Sequence, residues 1–172
     1  MGNPIFAHPG LSDSAAIMAG SEVATLPVTN LQTPQPGKVW RSAGLTDTYI
    51  VLDFGAARRW DFVAFVNANF SASATIRLRA DDSEAALDSD PEYDSSAESW
   101  WPATGRPTTD EDEPEPEGYT LIKSLIGSAQ TYRYLRIDIA DAENPAGYVQ
   151  AGRLLVGKAL QLSRCFSWGA VF

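Results

Sequence analysis

The 172-residue chain has a single cysteine, Cys165, and a single histidine, His8. One thiol makes no internal disulfide, so nothing in the sequence requires an oxidising compartment for stability. With one histidine, placed in an N-terminal extension, a Cys–His nucleophile, a Ser–His–Asp triad and a histidine-based zinc site are all short of parts. Cys165 therefore reads as a small apolar residue. No apolar run approaches the ~20 residues that span a bilayer, and the N-terminus lacks the basic and continuous apolar regions of a signal peptide. The expectation is a chain made and assembled in the cytosol, without membrane insertion. Basic residues are also scarce: 13 Lys and Arg stand against 22 Asp and Glu, for a net charge of −9. Phosphate recognition wants a basic face, so a nucleic-acid partner is not expected. The acidity reads first as solubility, with a cation-binding patch as the alternative.

Long segments of helical period are missing as well. What the chain has instead is short apolar runs separated by turn signals. The stretch 28–55 organises the rest. An Asn30-Leu31 turn leads into a loop holding Pro34, Pro36 and Gly37, which is unsuited to helix or ladder. The loop delivers Trp40, Arg41 and Ser42, and a β-branched and aromatic strand follows at 49–54, closed by Gly55. A turn is expected over 55–59 and a second strong strand over 60–67. A polar turn carrying Phe70 comes next. Residues 74–80 alternate, with Ile76 and Leu78 facing one way and Arg77 and Arg79 the other. In 132–139 Tyr132, Tyr134, Arg136 and Asp138 share one face, and Arg133, Leu135, Ile137 and Ile139 the other. A last core strand is expected at 148–156, residues 14–19 read as a first strand or an edge, and 119–126 returns to apolar character. The architecture is all-β, an antiparallel β-sandwich or jelly roll.

Three regions depart from that pattern. Residues 1–20 read as an N-terminal arm, and 21–157 as the sandwich. Within it, 81–118 reads as an acidic insert whose 110–117 run holds six acids and two prolines. Tyr93, Trp100 and Trp101 lie in the insert, and aromatics are costly to leave in water, so part of it should dock on the sandwich or on a partner. Residues 158–172 read as a C-terminal arm. Its Leu162, Phe166, Trp168 and Phe172 are expected to form an added strand or an anchor on another subunit.

The order of motifs resembles the discoidin, or coagulation-factor C-type, galactose-binding-like sandwich. The residues that carry the resemblance are Asn30-Leu31, Trp40-Arg41-Ser42, Val51-Leu52-Asp53-Phe54-Gly55, the strands at 60–66 and 75–79, and Tyr134-Leu135-Arg136-Ile137. They span about residues 25–157. The family's disulfide is absent. The wording Pro27-Val28-Thr29-Asn30-Leu31 and Val39-Trp40-Arg41-Ser42, followed by 65–80, is similar to discoidin-like proteins encoded among tail genes of tailed phages. That resemblance implies a non-catalytic tail-tip, baseplate or fibre component of the virion, assembled in the host cytoplasm. Its partners would be other tail proteins, copies of itself and a cell-surface glycan. A free-standing carbohydrate-binding or adhesion module is the alternative, and a glycan-acting enzyme a remote one, since no nucleophile–base set is visible.

Candidate ligand residues follow. Trp100, Trp101 and Tyr93 offer flat faces for a pyranose, with Arg106 and Asp94 to bond its hydroxyls; the alternative is that these rings pin the insert or fill an interface. Arg41 either contacts ligand from the loop rim or pairs with a carboxylate while Trp40 plugs the sandwich. No cofactor is expected. The family implies a structural calcium, for which Asn30, Asp47, Asp53 and Glu143 supply oxygen chemistry; Asp53 alternatively bonds backbone or an arginine such as Arg136.

Overall fold

The computed structural model describes residues 5–35, 37–100, 119–125 and 128–161. Two antiparallel sheets face each other. β1 (Ile5–Gly10), β5 (Phe62–Ala68), β8 (Tyr119–Ser124) and β11 (Arg153–Gln161) make a four-stranded sheet in the order β1-β11-β5-β8. β2 (Ala16–Ala19), β4 (Tyr49–Trp60), β6 (Thr75–Asp81), β7 (Tyr93–Asp94) and β9 (Gln130–Ala140) make a five-stranded sheet in the order β2-β4-β9-β6-β7. A short ribbon of β3 (Trp40–Arg41) and β10 (Gln150–Ala151) closes one end. The described helices are the four-residue α1 (Ala86–Ser89) and two 3-10 turns.

Alternation builds the core. Ile50 and Leu52 of β4, Ile76 and Leu78 of β6, and Leu135 and Ile137 of β9 all point inward and are buried. They meet Val63 and Phe65 of β5 and Leu154 and Val156 of β11. Trp40 and Trp60 are fully buried at 0% exposure and are the largest inserts in this core. Burying such side chains contributes about 1.5–3 kcal/mol each. Phe70, from the turn after β5, is also buried and meets Phe65 edge to face at 5.2 Å.

Three expectations need correction. The turn expected over 55–59 is strand. β4 continues to Trp60 through a bulge in which residues 54–57 lie between the pairs Asp53–Tyr134 and Arg58–Tyr132. Gly55 takes φ +74° there, a conformation that favours glycine. The chain turns instead at Asp61, whose carboxylate accepts the Ala159 N–H at 2.6 Å as the strand passes from one sheet to the other. The bulge also breaks the alternation of β9: Tyr132 packs against the core, while Arg133 reaches Asp53.

Residues 1–20, expected as an arm, supply a strand to each sheet. β1 pairs with β11 and β2 with β4. Between them Ser12 donates its hydroxyl to the Leu154 carbonyl and accepts the Val156 N–H, which ties the turn into the core. The C-terminal boundary moves too: β11 runs to Gln161, four residues beyond 157. Leu162, Phe166, Trp168 and Phe172 lie outside the described residues.

Candidate functional site

The end of the sandwich closed by β3 and β10 carries a bonded polar network. Trp40 fixes its position, since the buried indole anchors β3 and donates to the Ser21 carbonyl at 3.3 Å. The next side chain, Arg41, lies opposite Gln150 in the β3–β10 register. Its Nε and Nη2 donate to Gln150 Oε1 at 3.0 and 2.7 Å. The guanidinium carbon lies 4.0 Å from the centre of the Tyr148 ring, a cation–π contact.

The loops beneath hold this corner rigid. Asn69 Oδ1 accepts the Gln150 N–H at 2.7 Å, and its Nδ2 donates to the Tyr148 carbonyl at 3.2 Å. Ser42 Oγ accepts the Val149 N–H at 2.9 Å. Asn144 Nδ2 donates to the Asn69 carbonyl and to Asp141 Oδ2. Asp141 is buried and also accepts the Ser71 N–H and hydroxyl. The 144–147 turn closes through Gly147, at φ +74°, whose N–H donates to the Asn144 carbonyl. Each buried polar group in this chain of contacts has a partner, which is what keeps such a network ordered.

The arrangement leaves donors facing out. A guanidinium has five N–H groups, and two of Arg41's are used on Gln150. The Tyr148 hydroxyl has no hydrogen-bond partner among the described residues. Arg41, Tyr148 and Gln150 are each half-buried. A planar cation, a phenol and an amide held on one rim can take a ligand that is both hydroxylated and flat.

Arg41 is the one expected ligand residue that the structure places at this corner, and its partner is the Gln150 amide rather than a carboxylate. Of the two alternatives for Trp100, the structure has the ring pinning the insert rather than facing a sugar: it is 7% exposed, packed within the core and tilted against Phe65 at 6.3 Å. Tyr93 meets Trp60 edge to face at 5.8 Å. Burial, then the Glu98 and Asp94 charges, pushes its hydroxyl above the ordinary tyrosine value. Asp94 is taken as well. It grips Arg77 with both oxygens and accepts the Ser96 N–H, and the Arg77 hydrogen bond leads in lowering its pKa to about 2. The first part of the insert thus docks on the sandwich, through β7 on β6 and a bridge from Glu98 to Ile76. Trp101, Arg106 and the 110–117 run lie outside the described residues.

Two of the four calcium candidates, Asn30 and Asp53, are already held by other partners. Asn30 donates its amide to the Val39 carbonyl. Asp53 is held by a two-pronged contact with Arg133, not Arg136, and by the Gly55 N–H; the Arg133 bond is the main cause of a pKa lowered to about 2. Asp47 precedes β4, and Glu143 is exposed in the loop after β9. Among the described residues no three Asp, Glu, His or Cys side chains gather as a metal site would need.

No protein-family model matches the chain, and no curated protein sequence matches it. Solved structures do. A chitosan-binding module from a Paenibacillus chitosanase/glucanase superposes with a TM-score of 0.56 at 17% identity, over 87% of this chain and 98% of that one. A family 32 carbohydrate-binding module from Clostridium perfringens NanJ, solved with galactose, gives 0.56 at 14%, over 91% and 100%. A striped bass serum fucolectin gives 0.60 at 12%, over 92% of this chain and 50% of that one. At these identities the likeness establishes the fold: an antiparallel, galactose-binding-like β-sandwich.

Proposed function

We propose that the protein is a non-catalytic carbohydrate-binding module that takes its glycan at the Arg41–Tyr148–Gln150 corner. The observation that carries this reading is Arg41 itself, laid on Tyr148 and fixed by Gln150 with three N–H donors left over. Such a site binds by geometry set in advance, so little ordering entropy is lost on contact. The fold supports the reading, because structures sharing it include modules solved with galactose and with GalNAc-β-1,3-galactose. The corner's buried carboxylate, Asp141, is consumed by Ser71 and Asn144 and is not free for acid or base work. A glycan array probed with the purified protein tests the proposal. Selective binding is expected, weakened by about tenfold or more in Arg41→Ala and Tyr148→Ala, since each removes charge-assisted or aromatic contacts. No selective binding on the array, or binding by both variants as tight as that of the unsubstituted protein, would overturn it.

The setting of the module is part of the same proposal. The phage-tail wording at 27–31, 39–42 and 65–80 favours a tail-tip or baseplate subunit, with the aromatics at 162–172 as its assembly segment. Because β11 ends at Gln161, the cut that tests this removes only 162–172. Loss of incorporation into tails with unchanged melting is expected; normal incorporation would defeat the assembly role.

A further inference from the structure

Among the described residues, six of the eleven Lys and Arg side chains are paired with carboxylates. Arg77 pairs with Asp94, Arg79 and Arg136 with Asp138, Arg133 with Asp53, Arg153 with Asp13 and Lys123 with Glu98. Arg58, Arg59 and Lys158 are different. All three are exposed, and none of their side chains has a hydrogen-bond or carboxylate partner among the described residues. They gather at one place, where, with Leu11, Ala57 and Thr131, they line a concavity of about 380 Å³.

The backbone explains why they meet. The bulge at 54–57 returns β4 to its register at Arg58, opposite Tyr132, and sets Arg59 opposite Thr131. Lys158 follows Gly157, which pairs with Phe62 just past the Asp61 corner. The acids nearest in sequence do not neutralise the trio. Asp61 is buried and its carboxylate accepts the Ala159 N–H. Both oxygens of Asp13 are taken by Arg153. Three unpaired cations on one surface repel each other and gain when an anion settles between them.

We infer that this concavity is a second binding site, for an acidic saccharide held by a carboxylate or sulfate group. Arginine forks suit the two oxygens of such a group. The Thr131 hydroxyl and the Leu11 and Ala57 surface beside them suit the hydroxyls and C–H face of a sugar ring. A long polyphosphate, which would extend past the trio, is disfavoured by the chain's net charge of −9. The site is also separate from the Arg41 corner. The trio lies beside the Phe62 end of β5 and the corner beside the Ala68 end, about 20 Å apart by strand rise.

The test is a titration of the ¹⁵N-labelled full chain with an oligogalacturonate, a sulfated galactan fragment, a neutral galactan fragment of matched length and inorganic sulfate. Expected are shifts at residues 56–59, 131 and 157–159 with an acidic saccharide and none there with the neutral one. Binding should weaken by about tenfold or more in the Arg58→Ala/Arg59→Ala/Lys158→Ala variant. Should that variant lose its native spectrum, Arg59→Gln and Lys158→Gln singly are each expected to weaken binding by about threefold, through loss of one charge-assisted contact. No shifts at these positions with either acidic saccharide would overturn the proposal, as would affinity unchanged in the variants. Inorganic sulfate binding as tightly as the saccharides would overturn it too, by reducing the site to an ion cluster. Shifts confined to 41, 69 and 148–150 would support the Arg41 corner alone and overturn this one, so the two sites fail separately.

Discussion

The two ends of the sandwich treat polar side chains in opposite ways. At the β3–β10 end, Asp141, Asn144, Asn69, Ser71 and Ser42 bond each other and the backbone, and Arg41 is fixed on Tyr148 and Gln150. At the Phe62–Gly157 end, the Arg58, Arg59 and Lys158 side chains have no partner among the described residues and stand around a concavity. The first end is structure that also presents donors; the second presents charge on which the fold does not depend. Substitutions should therefore separate them, costing stability at one end and leaving it alone at the other.

The strongest way to break that contrast is Trp40→Ala, which empties the anchor of β3. It should cost about 3–5 kcal/mol by thermal or denaturant unfolding and lose glycan binding with it. Unchanged stability would show that the β3–β10 end is not built on this indole. Asp141→Ala comes next. It leaves the Ser71 N–H and one Asn144 donor bond without an acceptor and the Ser71 hydroxyl with Ser73 alone, for a loss of about 2–3 kcal/mol in the same measurement.

A smaller effect is expected from acid, and on the outer face of the five-stranded sheet rather than at either end. Asp53 and Asp94 have folded pKa values of about 2, below the ordinary 3.8, through their hydrogen bonds to Arg133 and Arg77. A depressed carboxylate stabilises the fold above its unfolded value and stops doing so as pH falls through the folded one. Their contribution should be complete above about pH 4 and lost between there and about pH 2. It should be modest and reduced by salt, because both pairs are partly exposed. Asp94→Asn should flatten this part of a melting-versus-pH curve; an unaltered curve would mean the Arg77 pair stabilises nothing. The smallest stability change belongs to Arg58→Ala, Arg59→Ala and Lys158→Ala, within about 0.5 kcal/mol each, as for surface positions without partners. A larger loss would show that this end is built like the other.

Much of the architecture was legible from local pattern. Period-two alternation in β6 and the later part of β9 gave the buried faces, because one side of each strand is wet. Trp40 read as core because a proline-stiffened loop feeds it inward. The bulge at 54–57 was not legible, since Gly55-Ala56-Ala57 has the composition of a turn and only pairing with β9 makes it strand. The first 20 residues read as an arm because a strand's partner is invisible in its own sequence; β1 finds its own in β11, at the other end of the chain. The same limit governs the candidate site. Arg41 stood out in its triplet, whereas its partner Gln150 is 109 residues away and becomes a neighbour only through the β3–β10 register. Trp100 was legible only in part: a large aromatic in a polar insert has to dock somewhere, but that it enters the core beside Phe65 follows from the Glu98–Ile76 bridge, which its own sequence does not show.

The central claim is that a sugar contacts the Arg41 corner. The direct measurement is a ¹⁵N titration of the full chain with galactose, N-acetylgalactosamine, fucose and glucosamine in turn. The expected result is saturable shifts with at least one sugar at Arg41, Asn69, Tyr148 and Gln150, abolished by Arg41→Ala. Shifts absent for every sugar, or centred elsewhere on the sandwich, would contradict it.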